Sequence, residues 1–158
     1  MKKVVYLSMA FLSFLLVLTG CGKKATTIDG KMEDLIAKLY DGIDENDLPM
    51  YLENITLTDE SLSNYIGTSD IKWKEAIASE SSVGSIAHSV VLIRMDDKAT
   101  SKDIEEAKNK IKESVNPAKW ICTEAEKVYV ESNNNFIVVI MTFEDIADPI
   151  KNNFLNLK

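Results

Sequence analysis

The side chain best suited to acid–base chemistry is His88, the only histidine in the 158-residue sequence. It lies in the segment Ile86-Ala87-His88-Ser89-Val90, where strand alternation puts it on one face with the flanking apolar residues. A catalytic histidine needs a positioned nucleophile and an orienting acid, and the neighbouring Ser89 hydroxyl points to the opposite face. The pattern therefore favours a structural, hydrogen-bonded histidine. An enzyme that uses His88 with a nearby carboxylate stays open as a third functional hypothesis.

The two cysteines, Cys21 and Cys122, are the candidates for thiol or metal chemistry. Cys122 follows Trp120-Ile121, with no histidine or basic neighbour to lower the pKa of its thiol, so we predict a packed and unreactive side chain. One histidine and one free cysteine cannot complete a structural zinc site. The glycines are isolated and form no phosphate-binding loop. The sequence therefore predicts no catalytic set, no metal and no cofactor.

Two tryptophans, Trp73 and Trp120, are candidates for binding rather than catalysis. Aromatic rings bury large areas in cores and at interfaces. Trp73 shares one face of a predicted strand with Ile71 and Ile77, which makes packing in the core the stronger interpretation. Together with His88, the two tryptophans form the predicted ligand- or partner-binding set.

The first 20 residues have the order of a secretory signal. Lys2 and Lys3 form a positive start, residues 4–18 are uncharged and apolar, and Thr19-Gly20 supply small residues. The apolar run is shorter than the ~20 residues that a membrane-spanning helix needs. We therefore predict a cleaved signal over residues 1–20.

The junction Leu18-Thr19-Gly20-Cys21 resembles the lipobox of bacterial lipoproteins. The resemblance implies that the Cys21 sulfur receives a diacylglyceryl group and that cleavage leaves Cys21 as the first residue. Stable anchoring takes more than one acyl chain. Residues 21–28 are then the lipidated cysteine and a short tether, and residues 29–158 are a single domain at the outer face of the cytoplasmic membrane. An uncleaved anchor and an ordinary signal with an incidental cysteine are the alternatives.

The charge of the secreted part argues against some partners. The signal holds two of the 18 basic residues and none of the 25 acidic ones, so the remaining 138 residues carry a formal charge of −9. Such a chain is a poor ligand for nucleic acid or for anionic lipid. The tether, residues 22–27, spans at most about 20 Å, so the domain is expected close to the membrane.

Hydrophobic periodicity predicts eight elements in the order α, α, β, β, α, β, β, α. Thr58 and Gly67 bound the second helix, and Thr100 with Asp103 begins the third as a capping box. Asp148-Pro149 is predicted to open the last helix. The predicted segments are helices near residues 32–40, 58–66, 100–115 and 148–157, and strands near residues 71–79, 85–95, 127–131 and 136–141.

Two of the predicted strands, which contain Val90–Ile93 and Phe136–Met141, are apolar on both faces and belong in the middle of a sheet. The prediction is an α+β fold with a four-stranded antiparallel sheet in the order 1-2-4-3, a ββαββα core and N-terminal helices before it. If helices leave the second sheet face uncovered, these strands expose an apolar patch there.

Three further segments resemble one family together. They are Glu75–Glu80 with Gly84–Leu92, Asn116–Cys122, and Phe136–Met141 before the last helix. They resemble an uncharacterised lipoprotein family, a domain of unknown function, of low-GC Gram-positive and mostly anaerobic bacteria. The resemblance implies lipoprotein status, assigns no catalytic residue, and associates the chain with membrane-bound O-acyltransferases that acylate envelope polysaccharides. The family is expected to carry a glycine-containing turn where this chain has Ser132–Asn135.

Two functional hypotheses lead. The first is a non-catalytic interaction or accessory module at the cell envelope, anchored to the membrane through Cys21 and bound to an envelope protein. The second is a lipoprotein that binds or senses a small ligand, with a pocket between the sheet and a helix.

Overall fold

The computed structural model describes residues 27–158, so the predicted signal, Cys21 and most of the tether lie outside the described residues. The mixed α+β class is confirmed. No helix within residues 27–158 is both long and apolar enough to cross a bilayer. In chain order the elements are α1 Met32–Lys38, β1 Leu52–Thr56, α2 Asp59–Ile66, β2 Trp73–Ser81, β3 Ser89–Met95, α3 Ser101–Ser114, β4 Lys127–Asn133, β5 Phe136–Thr142 and α4 Glu144–Leu155.

The strands form one sheet in the order β1-β2-β3-β5-β4, with every neighbouring pair antiparallel. The four predicted strands are neighbours in the predicted order. The prediction of four strands is nevertheless wrong, because β1 pairs with the outer edge of β2 and adds a fifth. β1 also lies between the two N-terminal helices, which were predicted to precede the sheet together.

The sequence of β1, Leu-Glu-Asn-Ile-Thr, gives no sign of a strand. These residue types lack the alternation of apolar and polar side chains that marks a half-buried strand. In the structure four of the five residues are exposed. Its register, from Leu52 opposite Ser81 to Thr56 opposite Ile77, is set by backbone pairing with β2. As a result β2, which was predicted at the edge, is an interior strand.

The two faces of the sheet are each covered by a pair of helices. On face one, α2 and α3 bury Leu62, Ile66, Ile104 and Ile111 against one side of the central strands. On face two, α1 and α4 cover the other side, and their buried side chains are Met32, Leu35, Ile36, Ile146, Ile150 and Phe154. Every residue of β5 and all of β3 except Arg94 are buried. The two central strands therefore expose no apolar patch on the second face.

The predicted start of the last helix is wrong. α4 begins at Glu144 after the N-cap residue Phe143, and Pro149 lies inside it. Buried Ile146 begins the apolar stripe of α4 before Pro149, so burial against face two favours the earlier start. Glu144 and Asp145 then place carboxylates in the first turn, where they favour a helix N-terminus.

The end of α2 supplies a test of this packing. Gly67 has φ +79°, and a Cβ there would lie 2.0 Å from the Ser114 carbonyl oxygen at the end of α3. Gly42 has a similar φ of +76° but nothing within 4 Å of a Cβ. We expect Gly67→Ala to lower the free energy of unfolding by about 3 kcal/mol or more, because a clash is added to backbone strain. Gly42→Ala, the matched control, costs about 1 kcal/mol. Urea denaturation measures both, and equal losses would contradict the close approach of the two helices.

Candidate functional site

The three predicted binding residues do not form one site. His88 and Trp120 lie near the β2–β3 end, where β2 and β5 finish and β1, β3 and β4 begin. His88 faces α1 and α4, whereas Trp120 packs on face one. Trp73 begins β2 at the other extremity, which we name the β4–β5 end because the β4–β5 turn lies there. The sheet and the length of its strands separate these side chains.

His88 is fully buried and has both ring nitrogens hydrogen bonded. Its Nδ1 lies 2.6 Å from the Thr142 hydroxyl, at the end of β5, and its Nε2 lies 3.0 Å from the Tyr40 hydroxyl, just after α1. Tyr40 is in turn hydrogen bonded to the Ser79 side chain of β2. These four residues form a buried polar chain under α1.

Burial keeps the two titratable side chains of this hydrogen-bonded group, His88 and Tyr40, uncharged. It lowers the pKa of His88 to about 4, because the imidazolium ion would lose its hydration. Burial also raises the pKa of Tyr40, and the hydrogen bond from Ser79 only partly opposes that change. Both groups are therefore neutral across the physiological range. With both nitrogens engaged and no exposed surface, His88 has no route for proton exchange with a substrate.

Trp73 is half-buried and lines a cleft of about 430 Å³ between the start of β2 and the start of α3. The cleft wall mixes charges of both signs, among them Lys72, Lys98, Asp96 and Asp103. Residues 27–158 hold no cluster of three or more histidine, cysteine or carboxylate side chains that could bind a metal ion. The cleft thus has an aromatic wall but no group of side chains that could bind a metal ion.

A polar cluster that the sequence did not indicate lies next to Trp120. Lys119 Nζ is 2.9 Å from Glu80 Oε1 and 3.4 Å from the Ser89 hydroxyl, and it sits over the rings of Tyr65 and Trp120 at 4.6 and 5.1 Å. The Lys119 and Glu80 side chains are 17% and 16% exposed. Burial lowers the pKa of Lys119, while the Glu80 carboxylate works against that change.

This cluster has the residue types of a serine–lysine hydrolase but not the arrangement. A lysine that activates a serine must be neutral, and the Glu80 carboxylate stabilises the ammonium form. Ser89 is also completely buried, so no substrate carbonyl can reach its hydroxyl. The ion pair instead joins the end of β2 to the chain that follows α3.

The β2–β3 end also carries exposed apolar side chains, which we name the apolar tip: Met50, Tyr51 and Ile121. They are 64%, 69% and 70% exposed. Three hydrogen bonds connect their backbones to residues 81–84. The Ser81 hydroxyl donates to the Met50 carbonyl, the Ser82 N–H donates to the Tyr51 carbonyl, and the Ile121 N–H donates to the Gly84 carbonyl. The apolar tip is therefore held in place.

Backbone strain occurs at the same location. Tyr51 and Cys122 have φ values of +57° and +59°, a region that bulky residues rarely adopt. Cys122 is exposed, so the prediction that it packs in the interior is wrong. Its neighbour Ile121 pairs with Gly84 and turns outward. Residues in such backbone conformations are concentrated at functional sites.

Comparison with known proteins adds no relative. No protein-family model, no curated protein and no solved structure matches the chain.

The buried His88 predicts a specific loss of stability in acid. The unfolded histidine has a pKa near 6.5 and the folded one about 4, so the unfolded chain binds the proton more readily between these values. Stability should therefore fall as the pH drops from about 6.5 to 4, by up to roughly 3 kcal/mol from this residue. His88→Gln should remove that component from pH-dependent thermal unfolding. Thr142→Val keeps the imidazole and should keep the slope. An unchanged slope in His88→Gln would contradict the neutral, buried state of His88.

Proposed function

We propose that this chain is a lipid-anchored extracytoplasmic lipoprotein that acts as a non-catalytic interaction module at the cell envelope. The observation that carries the proposal is the apolar tip, Met50, Tyr51 and Ile121, exposed on a strained and hydrogen-bonded frame. Isolated exposed apolar residues are ordinary, but several at one end of a domain point to an interface. Aromatic and methionine side chains are enriched at such interfaces.

The start of the described chain lies at the opposite end of the molecule. The Ile28 N–H donates to Asn135 Oδ1 at 2.8 Å, in the β4–β5 turn. The Gly30 carbonyl accepts from the Arg94 guanidinium, which also pairs with Glu75 and stacks on Phe136. Strands of seven residues separate this end from the apolar tip by about 20 Å. A tether of about 20 Å from Cys21 would thus leave the apolar tip directed away from the bilayer.

This geometry favours a protein partner over a lipid surface. With the anchor at Cys21 the tip would face away from the membrane, and the formal charge of −9 on residues 21–158 repels anionic lipid and nucleic acid. The resemblance to the lipoprotein family supports a partner within the envelope polysaccharide O-acylation machinery. The ion pair of Lys119 and Glu80 supports the module beneath the tip and takes no part in chemistry.

The anchor can be tested through the two cysteines. Cys21→Ala should release the chain from the membrane fraction of its native host, because no acyl chain remains to hold it. Cys122→Ala is the matched control and should remain in the membrane fraction. Fractionation, with mass spectrometry of the N-terminal peptide, measures both variants. Equal membrane retention of Cys21→Ala and the unchanged chain would refute the anchor.

The apolar tip can be tested with a photo-crosslinking residue at position 121 and, as a control, at position 155. Leu155 is also exposed, at 47%, but it lies at the end of α4, where its carbonyl accepts from Asn133 near the β4–β5 end. We expect one discrete protein adduct from position 121 and none from position 155. Tyr51→Asn, which tolerates the positive φ, should weaken the adduct by about tenfold without changing the melting temperature. An adduct that is lipid, or that is independent of Tyr51, would contradict docking of a protein at the tip.

A further inference from the structure

A second surface feature lies on face two, beside α1 and the edge strand β1. A pocket of about 280 Å³ opens there, bounded by the α1 region, by the loop before β1 and by strands β1 and β2. Its lining residues are Ala37, Tyr40, Leu48, Leu52, Asn54 and Ser79. Asn54 and Ser79 are directly paired across β1 and β2, so their side chains stand next to each other.

The polar groups of this pocket are not equally available to a ligand. The Tyr40 hydroxyl contacts His88 Nε2 at 3.0 Å and the Ser79 side chain, and Ser79 is only 2% exposed. Tyr40 therefore turns its hydroxyl inward and leaves its ring as a wall of the pocket. Asn54, by contrast, is exposed on β1. A ligand thus meets aliphatic and aromatic walls with one amide at the mouth.

The lining residues also restrict the charge and the size of a ligand that this pocket can bind. None of the six lining side chains is ionisable at neutral pH, because the only titratable one is Tyr40 and burial raises its pKa. A charged ligand would lose hydration without gaining a partner. The volume of the pocket is about 280 Å³. That is slightly smaller than ordinary ligand pockets, which hold drug-sized molecules.

We propose that this pocket binds a small uncharged amphiphile, with an apolar body against Tyr40, Leu48 and Leu52 and one amide or hydroxyl group that hydrogen bonds to Asn54. This site is separate from the docking surface in the proposed function. Its occupation requires neither the lipid anchor nor a protein partner.

Three probes with the same body and different charge test the proposal: pentanamide, pentanoate and pentylammonium. The full chain in lipid nanodiscs is titrated with each probe while backbone amide shifts are followed by NMR. We expect pentanamide to bind with a millimolar Kd and to shift the signals of Leu52, Asn54 and Ser79. The two ions should bind at least about tenfold more weakly. Equal shifts from all three probes, shifts elsewhere, or none up to the solubility limit would each overturn the proposal.

Two variants and their controls identify the contacts. Asn54→Val should weaken pentanamide binding by about tenfold, whereas Thr56→Val, on the same strand face but outside the pocket, should leave it unchanged. Ala37→Leu, at an exposed helix position, should fill the pocket and abolish the shifts. Ile121→Ser removes part of the apolar tip and should not alter pentanamide binding, which separates this site from the docking surface. Binding that survives Ala37→Leu and Asn54→Val together would refute the assignment.

Discussion

The structure depends on the burial of β3 and β5 on both faces. These two strands pair over six residues, from Ser89 opposite Met141 to Arg94 opposite Phe136, and almost none of their surface meets water. A strand that is apolar on both faces requires cover on both. The chain supplies it with α2 and α3 on face one and α1 and α4 on face two, so the sheet faces are used for packing. Polar and strained residues are consequently found at the ends and edges of the sheet.

Strand alternation then separates residues that are neighbours in the sequence. His88 and Ser89 are consecutive, yet His88 joins Tyr40 and Thr142 on face two, and Ser89 joins Glu80 and Lys119 on face one. Two buried polar clusters therefore lie back to back across the sheet. Each is hydrogen bonded within itself, which lowers the cost of burying polar groups, whereas Trp120 Nε1 beside Lys119 is buried without a hydrogen-bond partner. Tyr40 and Ser79 of the face-two cluster also line the pocket beside α1.

The sequence correctly predicted the helix ends that are marked by capping residues at α2 and α3. The capping box of Thr100 and Asp103, with its reciprocal hydrogen bonds, begins α3 as predicted, and Thr58 and Gly67 bound α2. Such motifs involve residues three or four apart and need no knowledge of the fold. β1 gave no such signal because its residues are largely exposed and its stability comes from pairing with β2. The start of α4 was misplaced for a related reason, since burial of Ile146 outweighed the Asp148-Pro149 motif.

The sequence alone determined the α+β class and the central position of the two apolar strands, because hydrophobic periodicity expresses both directly. It also indicated that His88 would be structural. Only the tertiary structure placed Lys119 beside Glu80, 39 residues apart, and Tyr40 beside His88, 48 residues apart. It alone brought Met50, Tyr51 and Ile121 to one end of the sheet. Contacts of that range follow from the order of the strands and the choice of helix for each face, which no local pattern encodes.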